Sequence, residues 1–247
     1  MWDRPNPRRS IAVGRGSRPP VGSGAITRVL LIRHGQSEWN ADGRWQGQAD
    51  PPLTDLGRHQ ALHASRNLGV VDAMVASDLQ RASETAMIIS NELGVGPLVL
   101  DAGLRERDAG EWSGLTRAEI ERDWPGYLDP PPADRHASFG SAPASDAAAQ
   151  PKAERRRPPS WEADESVIER VRGALGRIHD LAPDGEVITI THGGVVYVLE
   201  GLLGAPFERL PNLGGRWVEV GPGGELKRLG DRVVLVDPDE LTVPAQI

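Results

Sequence analysis

The sequence Val29-Leu30-Leu31-Ile32-Arg33-His34-Gly35 is an apolar run that ends in a cation, an imidazole and a glycine. Four consecutive large apolar residues predict a strand buried on both faces, as in the middle of a parallel sheet. The Arg-His-Gly that follows would then lie at the carboxyl edge of the sheet, where open α/β folds bind ligands. Because one histidine at a strand end is more often structural than catalytic, a functional site there requires partners from elsewhere in the chain.

A second apolar strand ends in the same way. Residues 186–191 contain Val187-Ile188-Thr189-Ile190 and lead into His192-Gly193-Gly194. Between the two, alternating strand and helix patterns indicate βαβ units, and therefore an α/β fold with a parallel sheet and right-handed crossovers. The other predicted elements are helices at 55–68, 79–93, 116–123 and 195–203, a helix through Val167, Val171, Leu175 and Ile178, strands at 72–76 and 98–100, and edge strands at 217–220 and 233–236. Thr54 and Asp78 are the predicted N-caps of the first two helices.

Two histidines and two arginines are expected to converge at this edge. Since parallel strands share one carboxyl edge, His34 and His192 can face each other if their strands are neighbours. Arg33 lies beside the first histidine, and Arg81 lies in the first turn of a helix that follows the strand at 72–76. The glycines after His192 would leave backbone N–H groups open at a helix N-terminus. All of these groups favour a tetrahedral oxyanion, and arginine can donate two parallel hydrogen bonds to a phosphate.

The composition narrows the class of protein. The chain has 247 residues, of which 38% are hydrophobic and 26% charged, enough for one substantial core. There is no apolar run that could span a bilayer and no hydrophobic signal region, so we expect a soluble, cytoplasmic protein. The absence of cysteine excludes thiolate catalysis and cysteine-based zinc sites, and a net charge of -7 predicts neither a nucleic acid nor a membrane as partner.

The expected organisation is a single domain at 27–237 between two tails. Residues 1–26 carry five arginines among Pro, Gly and Ser, which indicates a disordered basic tail rather than a nucleic-acid arm or targeting peptide. A start codon assigned too early would give the same pattern. Residues 124–160 are rich in Pro and Ala and are interpreted as a lid or insertion. Residues 238–247 are assigned to a C-terminal tail.

The motifs resemble those of the histidine phosphatase superfamily, in the branch of the cofactor-dependent phosphoglycerate mutases and broad-specificity phosphatases. They follow the family's order over about residues 28 to 204: Leu31-Ile32-Arg33-His34-Gly35-Gln36-Ser37-Glu38-Trp39-Asn40, Arg44-Trp45-Gln46-Gly47-Gln48-Ala49-Asp50, Pro52-Leu53-Thr54, Gly57, Ser77-Asp78-Leu79-Gln80-Arg81-Ala82, Leu104-Arg105-Glu106, Gly114-Leu115-Thr116, Glu165-Ser166 and Thr191-His192-Gly193-Gly194. The resemblance implies a three-layer α/β/α sandwich with a mostly parallel central sheet. The protein would have the phosphoglycerate mutase-like fold.

The resemblance also implies a role for each site residue. His34 would be the phosphorylated nucleophile, Arg33, Arg81 and His192 would bind the phosphoryl group, and Glu106 would donate the proton. The substrate-binding residues would be Gly35, Asn40, Gln46, Gly47 and Gly193. His34 has to be neutral to attack phosphorus, and the neighbouring arginines disfavour the imidazolium. Since these cations can neutralise a phosphoryl group, we expect no metal and no cofactor.

The choice of acid depends on the resemblance alone, because Asp108 and Glu111 lie in the same loop as Glu106 and spacing cannot separate the three. Trp39 and Trp45 could wall the pocket, but burial in the core is at least as plausible for them. The remaining histidines match no motif element and are interpreted as surface residues: His59, His63, His136 and His179.

Three functions are compatible with these motifs. The first is hydrolysis of a small phosphorylated metabolite, because Gly114-Leu115 continues as Thr116-Arg117-Ala118, which looks more like the phosphatase branch than the Gly-Leu-Asn-Lys expected of a mutase. The second is a 2,3-bisphosphoglycerate-dependent phosphoglycerate mutase, in which Arg117 and the triple arginine at 155–157 would supply the additional cations. The third is a non-catalytic phospholigand-binding protein on the same fold. A homodimer formed by exposed edge strands near the C-terminus is also possible.

Overall fold

The computed structural model describes residues 24–128 and 156–244, and a six-stranded sheet forms the centre of this part of the chain. The strands lie in the order β3-β2-β4-β1-β5-β6. Within the described residues, β1 to β4 are parallel, whereas β5 is antiparallel to both β1 and β6. The strands are β1 Thr27–Arg33, β2 Ala73–Ala76, β3 Val99–Leu100, β4 Glu186–Thr191, β5 Gly214–Gly221 and β6 Glu225–Val234.

Helices cover both faces of this sheet. They are α1 Glu38–Ala41, α2 Asp55–Arg66, α3 Gln80–Leu93, α4 Arg117–Asp123, α5 Asp164–Leu181 and α6 Gly193–Leu202. Alternate residues of β1 point to opposite sides, because Val29 and Leu31 pack in the core cluster of α5 and α6 while Leu30 and Ile32 pack in the cluster of α2 and α3. The prediction of a central strand buried on both faces, and of an α/β/α sandwich with a mostly parallel sheet, is confirmed.

Several local predictions differ from the structure. The segment 217–220 belongs to β5, which is not an edge strand, since it is bonded to β1 on one side and β6 on the other. Strand β6 begins at Glu225 and takes in only the first part of the predicted 233–236 strand. A homodimer through an edge strand near the C-terminus would therefore have to use β6 and remains a prediction.

Of the two predicted helix N-caps, one is correct and the other is wrong. Thr54 caps α2 as predicted, because its hydroxyl accepts a hydrogen bond from Gly57 N at 3.0 Å. Asp78 does not cap α3: the N-cap is Leu79, without a side-chain bond, and the Asp78 carboxylate instead binds the Arg105 guanidinium at 2.6 and 2.7 Å. The Asp78 carboxylate, which the sequence places before the first turn of α3, therefore binds Arg105 instead of the N–H groups of the helix.

His179 is wrongly predicted as a surface residue. It is 5% exposed at the end of α5, and its Nδ1 lies 3.0 Å from the hydroxyl of Thr27 at the start of β1. His59 is exposed, and His63 is half-buried and contacts Glu240 at 2.8 Å. The segment 238–244, assigned to a tail, packs against the domain, where Thr242 bonds to Asn212.

Some predictions fall outside the described residues. They are the tail at 1–23, most of the insertion at 124–160, His136, Arg155 and the last three residues. Within the described part of the chain, no helix is long and apolar enough to cross a bilayer.

Candidate active site

The structure brings His34 and His192 together at the carboxyl edge of the sheet. Strands β1 and β4 are direct neighbours, with Arg33 in register with Thr191, so the residues that follow them are adjacent. The backbone N–H of His34 continues the ladder by donating to Thr191 O at 3.0 Å. The ring centroids of the two histidines lie 5.2 Å apart at an interplanar angle of 61°.

The imidazole of His34 is oriented as a nucleophile. Its Nδ1 lies 2.7 Å from the carbonyl oxygen of Gly35, which can only accept, so Nδ1 carries the proton and Nε2 carries the lone pair. The ring is 2% exposed. Burial, followed by the charges of Arg81 and Arg33, holds the pKa of His34 well below its usual range, against a smaller opposing effect of the Gly35 carbonyl. The neutral form that attack on phosphorus requires is therefore the stable one at neutral pH.

The ring of His192, next to His34, has one engaged nitrogen and one unpartnered nitrogen. Its Nε2 lies 2.9 Å from the hydroxyl of Ser77, while its Nδ1 is buried and has no partner among the described residues. Burial lowers the pKa of His192 well below its usual value, with further lowering by the charge of Arg81, by the neighbouring His34, and by the charges of Arg33 and Arg170. A neutral ring that accepts from Ser77 at Nε2 has its proton on Nδ1, where a phosphoryl oxygen can accept it.

Arg81 is fully buried, and three hydrogen bonds fix its guanidinium. Its Nε donates to His34 Nε2 at 3.3 Å, and its two terminal nitrogens donate to the carbonyls of Ala49 and Gly47 at 2.7 and 2.9 Å. Burial lowers its pKa to about 10, opposed by the carboxylates of Glu106 and Asp50, so it stays charged at neutral pH. Gly47 thus orients the arginine, and its positive φ of 52° suits a glycine.

The guanidinium of Arg33 is anchored by hydrogen bonds to Leu210 and Tyr197 and keeps one buried donor open. Its Nη1 donates to the carbonyl of Leu210 at 2.9 Å, whereas its buried Nε has no partner among the described residues. Burial lowers the pKa of Arg33, with Tyr197 and Glu106 acting in the opposite direction. The unpartnered Nε of Arg33 and Nδ1 of His192 are the kind of orphaned donor that an anion satisfies.

Glu106 is held against the N-terminus of α6. Its Oε2 accepts from Gly194 N at 3.1 Å and its Oε1 from Arg107 N at 2.8 Å. The expectation that Gly194 leaves an open N–H for the oxyanion is therefore wrong, since this N–H is occupied by the carboxylate. The other acidic residues of the loop, Asp108 and Glu111, are exposed and bond to Gly110 N and Ser160, so Glu106 alone among the three contacts α6.

The predicted substrate-binding residues lie around the same space but make structural hydrogen bonds. The side chain of Asn40 accepts from Ser37 N and from Asn212, the side chain of Gln46 accepts from the Ser37 hydroxyl, and Gly35 N donates to Thr85. Gly193 packs so closely that an added Cβ would lie 3.4 Å from Arg33 Nη1. Of the two tryptophans, Trp45 is buried and stacks edge-on against Trp112.

Sequence reasoning missed three residues that support the site. Ser77 orients His192, Thr85 links Gly35 N to Arg81 O, and Asn212 donates from its Nδ2 to the carbonyl of His34 at 2.9 Å. Ser77 lies in the same motif as Arg81, so the sequence marked its position but did not indicate its contact with His192. Asn212 lies far from any motif, and no local signal could have identified it.

No group of three or more His, Asp or Glu side chains in residues 24–128 and 156–244 is arranged to hold a metal ion. The charges around the two histidines are instead the guanidiniums of Arg33 and Arg81 and the carboxylate of Glu106. These groups can bind a phosphoryl group, supply a nucleophile and transfer one proton.

Comparisons with known proteins agree with this geometry. Residues 29–220 match the model of the histidine phosphatase superfamily (branch 1). A glucosyl-3-phosphoglycerate phosphatase of Mycolicibacterium vanbaalenii is 32% identical over 229 residues, which cover 86% of this chain and 91% of the relative. The structure of mycobacterial glucosyl-3-phosphoglycerate phosphatase with VO3 matches with a TM-score of 0.61 and 29% identity, covering 77% of this chain and 92% of the other. A 2,3-bisphosphoglycerate-dependent phosphoglycerate mutase of Bartonella quintana is 41% identical, but over 102 residues, 39% of this chain and 50% of the mutase.

Proposed function

This chain belongs to the histidine phosphatase superfamily and is a phosphatase, and we propose that it hydrolyses a small phosphorylated metabolite without a metal, through a phosphohistidine on His34. The observation that carries the proposal is the pairing of two buried histidines with lowered pKa values. Nε2 of His34 carries no proton and accepts from Arg81, and Nδ1 of His192 has no partner in the described structure. Arg33 and Arg81 flank this pair and supply the positive charge that a phosphate monoester needs.

In the first half-reaction, Arg81 Nε exchanges its hydrogen bond to His34 Nε2 for one to the phosphoryl group. The freed lone pair of Nε2 attacks phosphorus, and the bond from phosphorus to the ester oxygen breaks. Glu106, as a carboxylic acid, gives its proton to the departing alkoxide. The equatorial oxygens of the phosphoryl group would accept from Arg33, Arg81 and the Nδ1–H of His192. The phosphoryl group then resides on His34 as a covalent intermediate.

In the second half-reaction, water attacks the phosphohistidine. The carboxylate of Glu106 takes a proton from this water, the P–N bond breaks, and His34 recovers its lone pair as inorganic phosphate leaves. Each proton that Glu106 gives in the first step is thereby regained in the second. Its attachment to Gly194 N and Arg107 N keeps the carboxyl group beside the pocket through both steps.

The experiment that tests this function is metal-free hydrolysis of p-nitrophenyl phosphate by the wild type and by His34→Ala. We expect the wild type to be active in the presence of a chelator and the variant to lose activity by at least about a thousandfold, as when a covalent nucleophile is removed. Rapid quenching of the wild type should trap an acid-labile phosphoryl group on His34. Appreciable activity in His34→Ala would exclude the phosphohistidine route.

The same preparation separates the alternatives. Interconversion of phosphoglycerates that depends on a bisphosphoglycerate primer would favour the mutase. Against it, Arg156 stacks over Tyr127 and Arg157 over Trp112 and Trp161, with the guanidinium carbons within 6 Å of the ring centroids, so both described members of the triple arginine are engaged with aromatic rings. Tight binding of phosphate without any turnover would favour a non-catalytic phospholigand-binding protein.

For the substrate, we propose a phosphorylated sugar derivative of a small carboxylic acid. The support is the identity of 32% to a relative named glucosyl-3-phosphoglycerate phosphatase, over most of both chains. We expect a higher kcat/KM for glucosyl-3-phosphoglycerate than for 3-phosphoglycerate or p-nitrophenyl phosphate, measured as phosphate release. A preference in the opposite direction would place the substrate in another class of phosphate ester.

A further inference from the structure

Arg170, in the second turn of α5, has every N–H of its guanidinium engaged. Its Nη1 donates to the carbonyls of Gly103 and Arg105 at 2.9 and 2.6 Å, and its Nη2 donates to the carbonyl of Glu106 at 3.1 Å. The remaining two donors, on Nε and Nη2, bind the carboxylate of Glu162 at 2.8 and 2.9 Å. These five bonds use all five donors that a guanidinium possesses.

Glu162 binds the other side of the same loop. Its Oε2 also accepts from Asp108 N at 3.0 Å, and its own N–H donates to Asp108 O at 3.1 Å. Burial raises the pKa of Glu162, but hydrogen bonds from Arg170 and Asp108 outweigh this effect and lower it, which keeps the carboxylate ionised. The arginine and the glutamate are 20% and 12% exposed, so the pair is shielded from solvent.

The main-chain groups bound by this pair bracket Glu106 on both sides, at residues 103, 105, 106 and 108. The loop has no regular hydrogen-bonded structure of its own between Arg105 and Ala109. Gln48 also donates to the Glu106 carbonyl at 3.3 Å, and Arg105 N donates to Ala102 O at 3.2 Å. The side chains next to Glu106 are held as well, since Arg105 pairs with Asp78 and Arg107 with Asp164. Among these contacts, Arg170 makes three hydrogen bonds to main-chain oxygens of residues 103–106 and Glu162 makes one to Asp108 N, so the pair holds the backbone on both sides of Glu106.

We propose that Arg170, held by Glu162, is a positioning residue that fixes the backbone of Glu106 so that its carboxyl group reaches the ester oxygen of the leaving group. The inference rests on the proposed role of Glu106 as proton donor. Arg170 bonds to main-chain oxygens of the loop and to Glu162, and in the described structure it makes no hydrogen bond to either histidine or to the Glu106 carboxyl group. Its charge also lowers the pKa of His192, and Arg170→Lys keeps that charge while removing the fork. Lysine, a point charge without a fork, cannot bind three carbonyls and a carboxylate in this arrangement.

A positioning role and a merely structural role predict different effects of the leaving group on the rate lost in a variant. A displaced acid slows esters of poorly stabilised alkoxides, which need the proton, more than esters of acidic phenols, which leave without it. The test compares an alkyl phosphate with 2,4-dinitrophenyl phosphate in Arg170→Lys, Arg170→Gln and Glu162→Gln. Because Glu106 also serves as base in the second half-reaction, which is the same for both esters, the readout is kcat/KM, which reports the first half-reaction. We expect kcat/KM for the alkyl ester to fall by at least about tenfold more than kcat/KM for the dinitrophenyl ester.

Arg177→Gln is the matched control. Arg177 lies two turns further along α5 and makes a bidentate pair with Asp101 at 2.8 Å for both bonds, but it does not touch residues 105–108 in the described structure. We expect this variant to leave the ratio of the two kcat/KM values unchanged. Thermal unfolding of all variants separates a loss of folded protein, which would lower both rates equally, from a displaced acid. If Arg170→Gln does not fold, Arg170→Lys and Glu162→Gln carry the test.

Glu106→Gln distinguishes failure of this inference from failure of the proposed function. If it shows the strong leaving-group dependence and the Arg170 and Glu162 variants do not, the positioning role is wrong and the acid assignment stands. If Glu106→Gln itself shows no such dependence, Glu106 is not the proton donor and both are overturned. Equal loss for the two esters in every folded Arg170 variant would likewise reduce Arg170 to a structural residue.

Discussion

At the scale of single residues, the protonation of His34 is determined by one backbone carbonyl and by two arginines. The carbonyl of Gly35 selects the tautomer, and burial together with the charges of Arg81 and Arg33 opposes the imidazolium. Because protonation would place a third positive charge beside two arginines in a buried site, the ring stays neutral and nucleophilic. No sequence pattern specifies the tautomer, because it depends on the direction in which the ring is turned.

The neutrality of His34 can be measured directly. In the ligand-free protein, the ring nitrogens of His34, assigned by their absence in His34→Ala, should show a neutral ring at pH 6.5, with protonation only at distinctly lower pH. The reason is the lowered pKa caused first by burial and then by Arg81 and Arg33. The measurement is a nitrogen-15 chemical-shift titration. A midpoint at or above the ordinary histidine value would contradict the electrostatic argument.

Asn212 gives a second prediction at this scale. Asn212→Ala removes donors to the carbonyl of His34 and to Asn40 in a site where Asn212 is fully buried, and we expect a loss of stability of about 1–3 kcal/mol together with slower formation of the phosphoenzyme. Asn67→Ala is the control, because Asn67 also donates to a backbone carbonyl, that of Leu235, but away from the site. Equal effects of both variants on phosphoenzyme formation would show that Asn212 is only structural.

At the scale of elements, the features that depend on neighbouring residues could be predicted from the sequence. Strands β1 and β4 are short apolar runs buried on both faces, and each is followed by a histidine, so their positions and their shared edge could be predicted. The placement of β5 between β1 and β6 could not, because the order of strands depends on contacts between distant segments. The same holds for Asp78, whose partner Arg105 lies 27 residues away.

The N-terminus of α6 offers a prediction about one element. A Cβ at Gly194 would lie 2.2 Å from Oε1 of Glu106, so Gly194→Ala has to displace the carboxyl group. Because alanine favours a helix over glycine by about 0.5–1 kcal/mol, any loss of activity would not come from helix propensity. We expect kcat for an alkyl phosphate to fall at least about tenfold. Gly201→Ala in the same helix, where nothing lies within 4 Å of the added Cβ, should be fully active. A fully active Gly194→Ala would exclude the observed position of Glu106 as the functional one.

At the scale of the whole molecule, the site makes folding depend on pH. His34 and His192 are both buried with pKa values well below the ordinary one, so the unfolded chain binds more protons than the folded protein once the pH falls below about 6.5. Stability from these groups is fully present above that pH and is lost as the pH falls towards the folded-state pKa values. The active site thus stabilises the fold least under acidic conditions.

The slope of this dependence is the last prediction. Between pH 6.5 and 5, each of the two histidines should lower the free energy of unfolding by up to about 1.4 kcal/mol per pH unit, measured by urea denaturation. His34→Gln removes one of the two groups and should therefore remove about half of their joint contribution to the slope. The carboxylates with lowered pKa values, such as Asp78 and Asp101, lose stability only at lower pH, so they contribute little to the slope in this window, and the difference between wild type and His34→Gln reports His34. An unfolding free energy that is independent of pH across the window, and unchanged in this respect by His34→Gln, would contradict the lowered pKa values of the two buried rings.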